Sequence, residues 1–570
     1  MKKNLILALL FSFGFSFALS SQVSDKTKKD IENGSWYKKS PAQSIYGIDL
    51  GGAEELMKTS KVKKTPIVAI IGAGVDTEHE ALKHAIWTNP KEKENGKDDN
   101  KNGYIDDLHG WNFISNTNGE IMENTMTQAD REWLKLKDKY ADYIQVGTIF
   151  YKYIDSVRTA VSPPEDMKEF KYFRSLEIPN TSEMGVKYSS YRFSYEMKKN
   201  ILNWDKLLLK ELPDKSRKDI TKDDFKKYVV PTVDVNDTLT VASMVFADLS
   251  MGFLKGTNEE NSPWDYLYRS IKYRQIGRTY KTYTDYVEQQ DVEQRKRIVG
   301  DNPYDINDKK YGSNLLLTSN SGSSTLYSGL IAGKNTEQGF EGIVPDAKII
   351  NLVTTAAAGD PLVKDQVLSI RYAVDNGADV IVLQQQQFCN DTDVKWLDEA
   401  IRYADKKGVT VIVGVWEWAN DMSKVKYYPS QEMLPGVKYD NLISVACSDS
   451  LGMPSTTTNY GVEGVDLFAP GRYIYSTLPG DMYSTVNSSL LGAVTTAGVV
   501  AYIKSYFPKL KPAELKKILM NGVTDRKDEE VEINVQVKDK QIKEQFLFGQ
   551  LCKSGGILNL NNSLKLLMNK

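Results

Sequence analysis

Five consecutive apolar residues, Ile67-Val68-Ala69-Ile70-Ile71, run into Gly72 without one polar position among them. A strand of that kind offers no face to water, so it belongs inside a sheet covered on both sides, where parallel strands sit. The signal returns from about residue 345, with strands expected at 348–353, 379–383, 409–414 and 441–446. Helical periodicity fills the gaps at about 365–376 and 393–406. Strands alternating with helices predict an α/β domain built on a parallel sheet. Upstream, Ala53-Glu54-Glu55-Leu56 marks a helix just before the first strand.

Between about 118 and 300 the buried runs disappear. A capping box at Thr127-Gln128-Ala129-Asp130 precedes Trp133, Leu136, Tyr140 and Ile144, which recur at helical spacing. Ser262 can cap a second helix, with Pro263 at its first position and Trp264, Leu267 and Ile271 along one face. The stretch therefore reads as a mainly helical insertion, and its many tyrosines as core filling with a ligand platform as the alternative.

Lys2 and Lys3 precede an apolar run from Leu5 to Phe17, and Ala18-Leu19-Ser20 supplies small residues for cleavage. This predicts a signal peptide over 1–20 and export to the periplasm or the cell exterior. The run is too short and too interrupted to be a membrane anchor, so no membrane span is expected in the mature chain. Lys and Arg number 73 against 75 Asp and Glu, a balance that argues against a chain built mainly to neutralise nucleic acid or anionic lipid. Three cysteines, Cys389, Cys447 and Cys552, cannot form a disulfide framework, and free thiols are expected.

Asp98-Asp99-Asn100-Lys101-Asn102-Gly103-Tyr104-Ile105-Asp106-Asp107 places side-chain oxygens at every second position, a glycine at the turn and carboxylates beyond it. That spacing wraps a hard cation, and structural calcium is expected on Asp98, Asn100, Asn102, the Tyr104 carbonyl and Asp106. The twelfth position is His109 rather than Glu, so another carboxylate such as Asp107 must close the shell. An Asx-rich turn held by its own side chains is the plainer alternative.

Pro66 to Gly74 with Asp76 and His79, Gly329-Leu330-Ile331-Ala332, Gly342 to Ile349, Val465 to Gly471, Ala497 to Ile503 and Ser554 to Asn559 stand in the order of a known family. With these segments the chain resembles the subtilisin-like serine proteases, in a bacterial subgroup with a long helical insertion. The resemblance implies a subtilisin-like three-layer α/β fold, a parallel sheet flanked by helices. Its parts would be 21–117 with the calcium-like loop, the insertion at 118–300, and the remainder of the domain at 301–570.

Serine proteolysis needs a nucleophilic hydroxyl, an imidazole base, an orienting carboxylate and an oxyanion donor. Counted from the flanking motifs, the aspartate position holds Gly72, the histidine position Ser323 and the serine position Leu490. The three histidines, His79, His84 and His109, all precede the insertion. The oxyanion position falls on Glu417 in the ungapped register and on Asn420 if the chain carries an insertion before it. The cleft strand, small-edged in the family, reads Leu383-Gln384-Gln385-Gln386-Gln387, so Gln384, Gln385 and Gln386 are expected to line and narrow the cleft. The expected function is that of a secreted pseudoprotease, degenerate at Gly72, Ser323 and Leu490, that binds or scaffolds a protein or extended peptide. The alternative is a serine-type endopeptidase or other hydrolase with relocated catalytic residues.

Overall fold

The Ile67–Gly72 run forms a strand well inside a nine-stranded sheet. The computed structural model describes residues 34–569, apart from 124, 126–127, 129–130, 133–135, 137–138, 141–142, 155–156, 176–180, 236, 254–261, 273–290 and 538–539. Across the sheet the order is Thr524–Asp525, Gly556–Ile557, Leu467–Pro470, Leu442–Ser448, Thr410–Gly414, Val380–Leu383, Ile67–Gly72, Lys348–Val353 and Gly110–Asn112. All neighbours pair parallel except the outermost Thr524–Asp525 and Gly556–Ile557. Successive side chains of a strand enter opposite faces. Val68 and Ile70 accordingly join a core closed by the helices Gly322–Ala332, Leu491–Tyr506 and Leu560–Met568. Ala69 and Ile71 join the other, under Val363–Asp375 and Asp391–Lys406. Each fully buried Val, Leu or Ile contributes about 1.5–3 kcal/mol, so two such cores hold the sheet in register.

The strands expected at 348–353, 379–383, 409–414 and 441–446 are observed at Lys348–Val353, Val380–Leu383, Thr410–Gly414 and Leu442–Ser448. The upstream helix is Leu50–Met57. Residues 1–20 lie outside the described residues. Among the described residues no helix is long and apolar enough to cross a membrane. The three thiols are free.

The insertion has its own core of Met197, Ile201, Trp204, Leu208, Phe225, Trp264, Leu267 and Ile271. Ser262 caps the Pro263–Lys272 helix, its Oγ accepting the Asp265 N–H at 3.2 Å. Trp264 is buried in that core and donates Nε1–H to Asp205 Oδ1 at 3.1 Å. Thr127, Ala129, Asp130 and Trp133 of the first expected helix lie outside the described residues. Ile144 differs from expectation: it opens an antiparallel sheet of Ile144–Val146, Ile149–Ile154 and Val157–Val161, packed with Tyr140, Phe150, Phe170 and Phe173. These strands are short and interrupted by Gln145, Lys152 and Arg158, so their pattern does not stand out beside helical spacing.

Candidate functional site

In a parallel sheet the strand C-termini open onto a crevice where ligands bind. Gly72 ends its strand there, opposite Val353, and Gln384 follows Leu383 on the neighbouring strand with its N–H donated to Ile71 O at 3.0 Å. The Gln384 amide folds back across Gly72. Its Oε1 accepts the Ala73 N–H at 3.1 Å, and its Nε2 donates to Ser323 Oγ at 3.3 Å. A Cβ on residue 72 would stand 2.3 Å from Gln384 Oε1, so the glycine and the glutamine need each other.

Ser323 lies in the first turn of Gly322–Ala332. Ser324 Oγ donates to Ala73 O at 2.8 Å and Thr325 Oγ1 accepts the Asp76 N–H at 2.9 Å, tying this helix start to the loop after Gly72. Leu490 caps the helix Leu491–Tyr506 and is buried. Its side chain lies 2.7 Å from where a Cβ on Gly414 would be. Gly72, Ser323 and Leu490 therefore converge through Gln384 and Gly414 on one end of the sheet. Ser323, Gln384 and Leu490 line the same 610 Å³ cavity.

The other expected residues are placed differently. Gln385 lines the cavity and donates Nε2–H to Asp360 Oδ1 at 3.4 Å. Gln386 does not line it: beyond the end of the strand its side chain is buried and donates to Pro429 O at 2.8 Å. Glu417 pairs with Arg472 at 2.7 Å, and Asn420 donates Nδ2–H to Tyr427 OH at 2.9 Å. Trp416, which the residue count passed over, lines the cavity instead, with Tyr327 and Ser488. Ser488 Oγ accepts the Leu490 N–H at 3.3 Å. From the insertion, Tyr266 and Ser270 complete the wall. No histidine is among the lining residues. His79 accepts the Ala81 N–H at Nδ1 and meets Met482 O through Nε2 at 3.1 Å, while His84 and His109 bond to Pro345 O and Trp87 O. Asp76 holds the turn at Gly480, accepting its N–H at 2.7 Å. Cys447 sits under the Leu491–Tyr506 helix, accepting the Gly492 N–H at 3.1 Å. Burial pushes its thiol up to about 12, so it supplies no thiolate near neutral pH.

The Gly72–Gln384 contact sets up a double-mutant cycle. Gly72→Ala is expected to cost about 1–3 kcal/mol by displacing the amide and its two hydrogen bonds. Adding Gln384→Ala removes the clash, so the pair couples by about 1–2 kcal/mol in urea unfolding. Additive losses would show that the two residues act independently.

At the Asp98 loop the oxygens turn on their own backbone. Asp98 accepts the Asn102 and Gly103 N–H groups at 3.0 and 2.8 Å, Asn102 Oδ1 accepts the Tyr104 N–H at 2.8 Å, and Asp106 accepts the Asn95 N–H at 2.9 Å. Asn100 accepts the Asn102 N–H at 2.9 Å. Asp107 is buried and takes Tyr372 OH at 2.6 Å and Asn102 Nδ2 at 2.9 Å. Burial, reinforced by the neighbouring Glu92 carboxylate, pushes Asp107 up to about 6. Glu92 is itself buried, and its Oε2 has no hydrogen-bond partner. Among the described residues no three acidic, histidine or cysteine side chains already converge on one point.

A parallel sheet with helices on both faces, and a crevice framed by the starts of two helices at its C-terminal end, defines an α/β protein of the subtilisin-like class. The chain belongs to the subtilase family, whose Peptidase S8 model matches residues 63–536. It is 26% identical over 212 residues to Subtilisin DY of Bacillus licheniformis, covering 37% of this chain and 73% of that protein. It is 30% identical over 174 residues to the Thermophilic serine proteinase of Bacillus sp. strain AK1, covering 30% of this chain and 40% of the relative. M-protease of Shouchella clausii strain KSM-K16 is 26% identical over 203 residues, 36% of this chain and 50% of that one. The match thus spans half or less of these last two relatives. Among solved structures, the epidermin leader peptide processing serine protease EpiP from Staphylococcus aureus aligns with a TM-score of 0.36 at 18% identity, covering 46% of this chain and 67% of that one. The prenylagaramide maturation protease PagA aligns with a TM-score of 0.34 at 20% identity, covering 43% and 82%.

Proposed function

We propose that this chain is an exported subtilase-fold pseudoprotease that binds a ligand in its cleft without hydrolysing peptides. The observation that carries this reading is the Gln384 amide spanning Ala73 and Ser323 in a cavity lined, among the described residues, by no imidazole, carboxylate or ammonium group. A serine hydroxyl is a weak nucleophile unless a base takes its proton; Ser323 Oγ is bonded to the Gln384 amide and Ser488 Oγ to the Leu490 N–H, and neither group is a base. Leu490 fills the third corner with hydrocarbon. The relatives carry protease names, so the reading separates this chain from them by chemistry rather than by fold.

The reading includes structural calcium at the Asp98 loop. Asp98, Asn100, Asn102, Tyr104, Asp106 and Asp107 supply the oxygens. The buried, unpartnered Oε2 of Glu92 supports a cation beside Asp107, since a carboxylate out of water calls for a partner. When bound, calcium would supply charge neutralisation and loop rigidity, not chemistry at the cleft.

One experiment tests both parts: fluorophosphonate labelling and casein turnover on the purified mature protein, with calcium and with chelator, beside an active subtilisin. The expected result is no label and no turnover in either condition. Melting temperature falls on chelation, because calcium at 100 times its dissociation constant adds about 2.7 kcal/mol. Labelling or turnover would overturn the pseudoprotease reading, and an unchanged melting temperature would overturn the calcium site.

A further inference from the structure

Two parts of the insertion close the cleft. On one side the chain pairs with the edge at 357–360. Ala357 N–H donates to Glu123 O at 2.8 Å and Thr125 N–H to Ala358 O at 2.8 Å. Thr125 Oγ1 donates to Asp360 O at 2.9 Å, and the Gln128 N–H to Asp360 Oδ2 at 2.9 Å. Gly359 has φ +88°, and a Cβ there would stand 1.9 Å from Thr125 O, so the two backbones are in direct contact. Gln128 Nε2 then reaches Asp393 Oδ2 at 3.0 Å, and Asn390 Nδ2 reaches Glu132 Oε1 at 3.1 Å. The opposite bank is thereby bridged as well. On the other side the helix Pro263–Lys272 is pinned by Arg269, which donates to Gly480 O at 2.6 Å, and it contributes Tyr266 and Ser270 to the cavity wall.

An extended peptide is recognised chiefly by main-chain pairing along a free strand edge. Here Ala357 and Ala358 pair with the chain itself, Gln384 N–H with Ile71 O, and the N–H and C=O of Gln387 with Tyr428. The cavity is faced by the amides of Gln384 and Gln385, the hydroxyls of Ser323 and Ser270 and the indole of Trp416, set among the apolar Leu478, Pro479, Met482 and Leu490. Among the described residues no charged side chain lines the cavity, so an ionic ligand would lose its hydration there without gaining a counter-charge from them. The 610 Å³ volume lies in the range of small-ligand sites, about 300–1,000 Å³.

We propose that the narrowed cleft is a site for a short, uncharged oligosaccharide. Side-chain amides and hydroxyls meet sugar hydroxyls, and the Trp416 indole, held by stacking on Trp418 at 4.8 Å, packs against the sugar. This rests on the non-hydrolytic reading and narrows its ligand: the peptide partner expected from the resemblance has no free edge to add to at 357–360.

The test titrates the mature protein with maltotriose, cellotriose and chitotriose by calorimetry and indole fluorescence. Trigalacturonate and a blocked tri-alanine peptide serve as charged and peptide probes. At least one neutral trisaccharide is expected to bind at millimolar concentration or below and to change the fluorescence, with the two other probes silent. Gln385→Ala is expected to weaken that binding about tenfold. Ser323→Trp, which fills the cavity, abolishes it. Melting curves identify any variant that has not folded, and Gln385→Ala carries the test if Ser323→Trp fails. Silence from all three trisaccharides, stronger binding of the peptide, or sugar binding indifferent to both folded variants would overturn the proposal. Casein turnover, measured separately, would instead overturn the reading beneath it, so the two failures are distinguishable.

Discussion

Arg295→Met is expected to destabilise the protein by about 3–5 kcal/mol, the loss that follows when one partner of a buried ion pair is removed. Arg295 is 1% exposed at its side chain and lies 2.6 Å from Asp301 and 2.8 Å from Asp365, both fully buried. Lys364, also fully buried, meets Asp301 at 2.7 Å, and Tyr311 OH donates to Asp365 at 2.6 Å. Two cations thus balance two carboxylates. Arg295 belongs to the Asp291–Ile298 helix at the end of the insertion, whereas Lys364 and Asp365 belong to Val363–Asp375 on the central sheet. The cluster therefore fastens the insertion to the core. Without the guanidinium, Asp301 and Asp365 share one lysine.

Burial holds Asp365 above the ordinary carboxylate range, with Arg295 opposing that rise. The variant loses the opposition, so its Asp365 rises further. A carboxyl with a raised folded-state pKa binds more protons folded than unfolded, and stability then falls as pH increases. The deficit of Arg295→Met relative to the parent is expected to be smaller at mildly acidic pH than above neutrality. Urea unfolding followed by circular dichroism at both pH values checks this. A loss under about 1 kcal/mol, or a deficit that grows as pH falls, would show that the cluster does not carry the attachment.

Leu490→Ser is expected to cost about 2–5 kcal/mol, because it removes a buried side chain from the central core and leaves a cavity over Gly414. It is also expected to leave the protein inert to fluorophosphonate. The new hydroxyl stands near Ser488 and Trp416, beside a cavity lined by no histidine. Adding back one member of a catalytic unit does not recover activity when its base is missing. Labelling of this variant at residue 490 would reveal a base that the present assignment of Ser323 and Gln384 does not contain. A neutral effect on stability would mean that Leu490 does not fill the core.

The central sheet was legible because strands buried on both faces are written as unbroken apolar runs, and Lys348–Val353 appears in the structure with the bounds its sequence suggests. The small sheet at Ile144–Val161 was not, because short strands with Gln145, Lys152 and Arg158 among their apolar residues carry no such run. At the site, motif spacing located Gly72, Ser323 and Leu490 around one crevice. Counting left Glu417 and Asn420 both open, and the structure gives each another partner while Trp416 lines the cavity. Three features escaped the sequence because they are contacts between distant residues. They are the Gln384 bridge between Ala73 and Ser323, the Thr125–Gln128 strap on Asp360, and the roof from Tyr266 and Ser270. Periodicity reports which face of an element is buried, not what lies against it.

The most direct test of the non-hydrolytic assignment is unbiased cleavage profiling: incubation of the mature protein, with calcium, in a proteome-derived peptide library, with new termini read by mass spectrometry. This detects any peptidase chemistry, including a relocated nucleophile that fluorophosphonate would miss. The account predicts no termini above the buffer blank, while an active subtilisin run in parallel generates many. Reproducible cleavage at a consistent sequence, lost on Ser488→Ala or Ser323→Ala, would contradict it and place a working nucleophile in the cavity.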